Sequence, residues 1–250
     1  MRILILGTSG SVGDLYEDRS TSWAFRLEEA VSADVGPVEI FQRMFSPNGE
    51  RALVFLERLL TEHRPDVVIA YPNTYAFVMA DVEECVRQRF GKRTARVFRV
   101  AERGFASTSG HLGPPGRAAL RGAKAATRRV VGTASLLDAG LATQSWLDTL
   151  DRLARAESVD AIILGATFFG AEFQQAYPGS KDATRAFNRI VEERCQAHHF
   201  AWLDGEAAMC AAPGGRDACY GPDGVHKTRL GNDQILGLVV GALRERHARA

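Results

Sequence analysis

No stretch of this 250-residue chain approaches the roughly 18 consecutive apolar residues that a membrane-spanning helix requires. The first apolar run begins at residue 2 and is too short for the core of a secretory leader, so a cytoplasmic protein with no membrane span is expected. Cysteine is scarce, and the four present make no C-x-x-C pair and no His/Cys cluster with zinc-ligand spacing; no metal or other cofactor is expected. An excess of one charge is also lacking: 31 Lys/Arg face 30 Asp/Glu, and the net charge of +1 names no partner. Repeats and low-complexity tracts are absent. With 46% apolar residues, the chain can bury one sizeable core, so residues 1–250 are expected to form a single domain.

What is present is an alternation of short Val/Ile-rich runs with longer amphipathic stretches. "RILILG", "VEIFQ", "DVVIAY", "DAIILGA" and "FAWLD" read as strands, and "DVVIAY" has the continuous apolar character of a strand buried on both faces. Helices are expected between them, among them residues 22–33 with Ser22 as N-cap, a helix stopped by Pro65, one over about 75–90, one over 139–157, and a last one over 228–247. Strands separated by helices define βαβ units. The predicted fold class is therefore α/β, a three-layer α/β/α sandwich around a flavodoxin-like five-stranded parallel sheet.

The first strand ends in "GTSGSVG". Gly7, Gly10 and Gly13 give G-x-x-G-x-x-G, a weak signal for a nucleotide-dependent reductase. A phosphate cradle must run straight into a helix whose first amides bind the anion. Here the glycines lead into "DLYEDRST", polar and acidic, and the second strand offers no acid for a ribose. The alternative is a turn that presents a serine. Near the other end, "YGPDGVHKT" places Asp223 three residues before His226, so that the carboxylate can accept from imidazole Nδ1 while Nε2 faces a serine across the cleft. Either a hydrolytic triad or a capping Asp beside a solvated His fits that spacing alone.

Together these residues resemble the SGNH, or GDSL-type, hydrolases. Gly7-Thr8-Ser9 stands where that family carries Gly-Asp-Ser, and Asp223-Gly224-Val225-His226 matches its D-x-x-H block. Of its Gly-x-Asn-Asp block only Asn73 is kept, in Tyr71-Pro72-Asn73-Thr74, and for the oxyanion glycine after the second strand Gly49 stands first and Ser46 second. The resemblance implies a catalytic Ser9–His226–Asp223 triad, with Ser11 as rival nucleophile. It implies oxyanion donors in the Ser9 amide, the Asn73 side chain and the Gly49 amide. The activity implied is hydrolysis of a carboxylic ester through an acyl-enzyme, as an esterase or deacylase acting on a small ester or acylated substrate. Acyl transfer with the same triad and a non-catalytic binding protein of the same fold remain alternatives. Phe168 and Phe169, after the fourth strand, are candidates to line the substrate pocket.

Charge is unevenly distributed. Between Val86 and Leu137 twelve Lys/Arg accompany one acid, Glu102. The irregular part of this stretch, about 91–138, reads as a basic insertion or lid. It serves either as a solvated face or as a dock for an acidic substrate or acyl carrier. Interleaved aromatics are few and no recognised motif occurs, so no nucleic-acid partner is expected. Cys210 and Cys219 flank "AAPGGRDA", where a disulfide and a free pair both fit.

Overall fold

The computed structural model describes residues 1–7, 19–72, 74–81, 85–94, 96, 134–135, 137–156 and 159–249. The chain divides into two compact units, Met1–Thr74 with Ala139–Ala250, and Tyr75–Asp138.

The first unit is built on a parallel sheet of β1 (Arg2–Gly7), β2 (Glu39–Met44), β3 (Val67–Ala70), β6 (Asp160–Leu164) and β7 (Ala201–Leu203), in the order β2-β1-β3-β6-β7. Every pairing is parallel, with Ile3 opposite Val67 and Val67 opposite Asp160. This is the flavodoxin-like order expected from the sequence. Helices α1 (Trp23–Val35), α2 (Glu50–His63), α4 (Ala139–Ala154), α5 (Ala171–Ala176), α6 (Ser180–Ala197), α7 (Gly205–Cys210) and α8 (Arg229–Arg249) surround it.

The two faces of the sheet explain the apolar runs. Ile3, Ile5, Val67, Ile69, Ile162 and Leu164 share one cluster with Trp23, Leu27 and Val31 of α1 and Ile235, Val239 and Leu243 of α8. Strand residues alternate between faces, so Leu4, Leu6, Val68 and Ile163, also buried, point to the opposite layer, where α4 packs against α2 and α6. A parallel strand covered on both sides has no polar face, which is why its sequence does not alternate.

α2 stops where expected, before Pro65. Its C-cap Arg64 adopts a left-handed conformation (φ 41°) and donates its N–H to Leu60 O at 2.9 Å. Ser22 does occupy the N-cap of α1, but its side chain makes no capping bond.

The second unit corrects one expectation. In place of a continuous helix over 75–90, α3 covers only Tyr75–Val78, β4 (Ala80–Asp81) follows, and residues 85–94 are helical again. β4 pairs antiparallel with β5 (Ala134–Ser135), a partner distant in sequence that local periodicity does not reveal. Among the described residues, no helix is long and apolar enough to cross a membrane.

Candidate active site

Because the sheet is parallel, the carboxyl ends of β1, β3 and β6 lie on one edge, and the order reverses between β1 and β3. That is where open α/β sheets bind ligands. The segment with Ser9 and Ser11 follows β1, and Asn73 follows β3; all three lie outside the described residues. Most of the basic stretch, 97–133, does so as well.

Asp223 and His226 are brought together. They occupy a short hairpin whose rungs are Thr228 N–H to Cys219 O (2.9 Å) and Gly221 N–H to His226 O (2.7 Å), with Tyr220 and Lys227 facing each other across it. Its tip is a Gly221–Gly224 turn closed by Gly224 N–H to Gly221 O (3.0 Å), with Pro222 in the position where its fixed φ suits a turn. Asp223 Oδ1 accepts the N–H groups of Val225 (2.9 Å) and His226 (3.0 Å), while Oδ2 receives His226 Nδ1. One carboxylate therefore both builds the turn and orients the imidazole. Partial desolvation pulls the Asp223 carboxyl up. Hydrogen bonds from Val225 N–H, the imidazole and His226 N–H, together with the imidazole's charge, outweigh it and leave the carboxyl below its ordinary range. An imidazole held through Nδ1 by a carboxylate presents Nε2 as its proton-transfer atom.

The hairpin is fixed to the loop after β6. Gly170 N–H donates to Gly224 O at 2.7 Å, and Tyr220 OH donates to Phe168 O. Burial, with the nearby Tyr71 phenol, holds the Tyr220 hydroxyl well above its ordinary pKa, so it stays a donor. Tyr71, directly after β3, bonds through its hydroxyl to Thr167 Oγ1 at 3.1 Å, and Lys227 Nζ sits 4.9 Å from the Tyr71 ring centroid. The Asp223–His226 hairpin therefore stands over the carboxyl ends of β3 and β6.

Phe168 is held from both sides of its peptide, since its N–H donates to Glu206 Oε2 at 2.9 Å. Burial raises the Glu206 carboxyl, against the lowering effects of the Phe168 amide, the Cys210 thiol and Arg216. Phe168 and Phe169 are both largely buried, and Phe169 packs on Phe173 with ring centroids 4.1 Å apart. Gly49 is the N-cap of α2 at φ 66°, and its N–H donates to Ser145 Oγ at 3.2 Å; Ser46 is exposed. A groove of about 1330 Å³ between β7 and α8, lined by Asp160, Trp202, Gly241 and Arg246 among others, contains none of these residues.

Tyr71, Thr167, Gly170, Glu206, Tyr220 and Lys227 were not anticipated as parts of the site. Gly170 and Tyr220 had a signal: a glycine closing the loop after a buried strand, and a tyrosine directly before G-P-D-G. Glu206 had none, because its partner is a backbone amide.

The fold is that of the SGNH or GDSL-type hydrolases. The lipase/acylhydrolase from Enterococcus faecalis superposes with a TM-score of 0.60 at 15% identity, covering 98% of this chain and 96% of that one. TesA gives 0.56 at 15% identity, with 98% and 99% covered. The acetyl xylan esterase AlAXEase gives 0.56 at 12% identity, with 97% and 100% covered. No family model and no curated protein matches the sequence.

Proposed function

We propose that this chain is a serine ester hydrolase, an esterase or deacylase, with Ser9 as nucleophile, His226 as general base and Asp223 as the group that orients it. The observation that carries this reading is the Asp223–His226 pair, mounted on a hairpin over the carboxyl edge of the sheet. His226 Nε2 takes the Ser9 hydroxyl proton as Oγ attacks the ester carbonyl, then delivers it to the departing alkoxide, leaving an acyl-enzyme. Water, deprotonated by the same nitrogen, releases the acid. The Ser9 N–H and the Asn73 side-chain amide stabilise the oxyanion. The Gly49 N–H joins them when its bond to Ser145 is exchanged for substrate. That its structural neighbours include lipases and an acetyl xylan esterase supports hydrolysis over transfer to another acceptor.

The test is covalent labelling by a fluorophosphonate, together with turnover of p-nitrophenyl butyrate. Ser9→Ala is expected to abolish both and Ser11→Ala to keep most of both. The reading fails if the protein takes no label and turns over no ester, and the nucleophile is reassigned if Ser11→Ala alone is inactive.

A further inference from the structure

The side chain of Asn232 is fully buried on α8, in the first turns after the base hairpin. All of its polar capacity goes to two other segments. Nδ2 donates to the carbonyls of Thr228 (3.0 Å) and Lys227 (3.4 Å), the residues through which the hairpin leaves His226. Oδ1 accepts Trp23 N–H at 3.3 Å. Trp23 is the first residue of α1, and its amide belongs to the set a helix cannot satisfy internally. An N-cap side chain serves the second or third amide of a helix rather than the first, and the Trp23 amide is met instead by Asn232 from across the molecule. The next residue repeats the tie: Asp233 forms an ion pair with Arg26, one turn into α1.

We infer that Asn232 is a positioning residue, setting the base-bearing hairpin against the start of α1, the first helix after Ser9 in the sequence. The inference rests on the hydrolase reading above. The Thr228 carbonyl keeps the Asn232 backbone N–H at 3.0 Å, but removing the side chain takes away the bonds to Trp23 N–H and the Lys227 carbonyl, and relaxation then shifts either the hairpin or the start of α1. A shift of about 1 Å between base and nucleophile is enough to cost on the order of 10²-fold in rate.

The experiment compares Asn232→Leu, Asn232→Asp and a control, Val239→Ala, which opens a cavity in the same helix away from the hairpin. Steady-state hydrolysis is measured below the melting point of every variant. Asn232→Leu is expected to lower kcat about 10- to 100-fold with KM within about 2-fold, while Val239→Ala keeps kcat. Asn232→Asp keeps the acceptor for Trp23 but turns an oxygen toward the Lys227 and Thr228 carbonyls, so it loses kcat while the Trp23 amide stays protected from hydrogen exchange. Placed in a His226→Ala background, Asn232→Leu should add no further loss, because it acts through that imidazole. Wild-type kcat in Asn232→Leu, or an equal loss in the His226→Ala background, overturns the inference. If the wild-type protein takes no fluorophosphonate and cleaves no ester, the hydrolase reading is what fails. Amide exchange then decides: joint acceleration at Trp23 and His226 in Asn232→Leu beyond that in Val239→Ala supports the tie, and unchanged exchange overturns it.

Discussion

The carbonyl of Gly224 accepts the N–H of Gly170 at 2.7 Å, and the two backbones meet so closely that neither residue has room for a Cβ. One added at Gly224 would lie 2.8 Å from Phe173 N, and one at Gly170 would lie 2.9 Å from Gly224 Cα. Gly224 also sits at φ 67°, which disfavours any side chain, whereas Gly170 at φ −61° does not. Gly224→Ala is therefore expected to destabilise by about 1–3 kcal/mol and to reduce kcat, because the tip of the base hairpin is displaced. Gly170→Ala crowds the same contact without the backbone strain and should lose less stability. Thermal melts and turnover of both variants check the order, and equal melting temperatures for the two would refute the strain argument.

The contact between Asp223 and His226 Nδ1 makes a sharper catalytic prediction. Asp223→Asn presents an amide where a carboxylate fixed the tautomer, and kcat should fall on the order of 10³- to 10⁴-fold, with His226→Ala similar. Groups that act as a unit are non-additive, so the double variant should be little worse than either single one. A double loss close to the product of the two would mean the residues act separately.

Away from the site, Asp151 accepts Arg194 Nη1 at 2.6 and 2.7 Å and His198 Nε2 at 2.7 Å. Partial burial pulls its carboxyl up, but the hydrogen bonds from His198 and Arg194 and their charges prevail, leaving it below the ordinary value. The folded carboxyl then holds its proton less tightly than the unfolded one. Its stabilisation is complete above the ordinary Asp pKa of about 3.9 and is lost as pH falls through the lower folded value. Asp151→Asn should melt below wild type at pH 7, and the gap should close as pH drops beneath about 4. A gap that widens on acidification would contradict the sign.

How much of this was legible depends on whether the cause was local. The sheet could be read because a strand buried on both faces writes itself as a run such as "VVIA", and the contact between Asp223 and His226 because their spacing of three puts both on one turn; the hairpin that carries them could not. The interruption of 75–90 could not be read, since Ala80–Asp81 is held by Ala134–Ser135. At α1 the position was legible but the bonding was not: Ser22 stands at the N-cap without a side-chain capping bond, and the first amide of the helix, Trp23 N–H, is met by Asn232, 209 residues away. Glu206 gives no sign of its role, because the group it serves is the Phe168 amide rather than a side chain. The register that selects Ser9 over Ser11, and the choice of Asn73, rest on sequence alone.

The four cysteines differ in burial and therefore in reactivity. None of the four forms a disulfide, and only Cys210 is exposed. Cys195 is fully buried on α6, where burial and the neighbouring Glu192 push its thiol up to about 12. Cys219, also fully buried, is raised as well, by desolvation first and then by Cys210 and Glu206. The thiolate is the reactive form, so in the native protein at pH 8 iodoacetamide should modify Cys210 first, and Cys195 and Cys219 only on unfolding. Cys210 should itself react slowly for an exposed cysteine. Partial desolvation and the Glu206 carboxylate, whose Oε1 accepts from the thiol at 3.5 Å, disfavour its thiolate. Glu206→Gln removes that negative charge while keeping an oxygen for the Phe168 amide. The Cys210 pKa should then fall, the thiolate fraction at pH 8 should rise, and labelling at this position, followed by mass spectrometry, should accelerate. Slower labelling in Glu206→Gln would mean that the carboxylate activates Cys210 as a base rather than restraining it by charge.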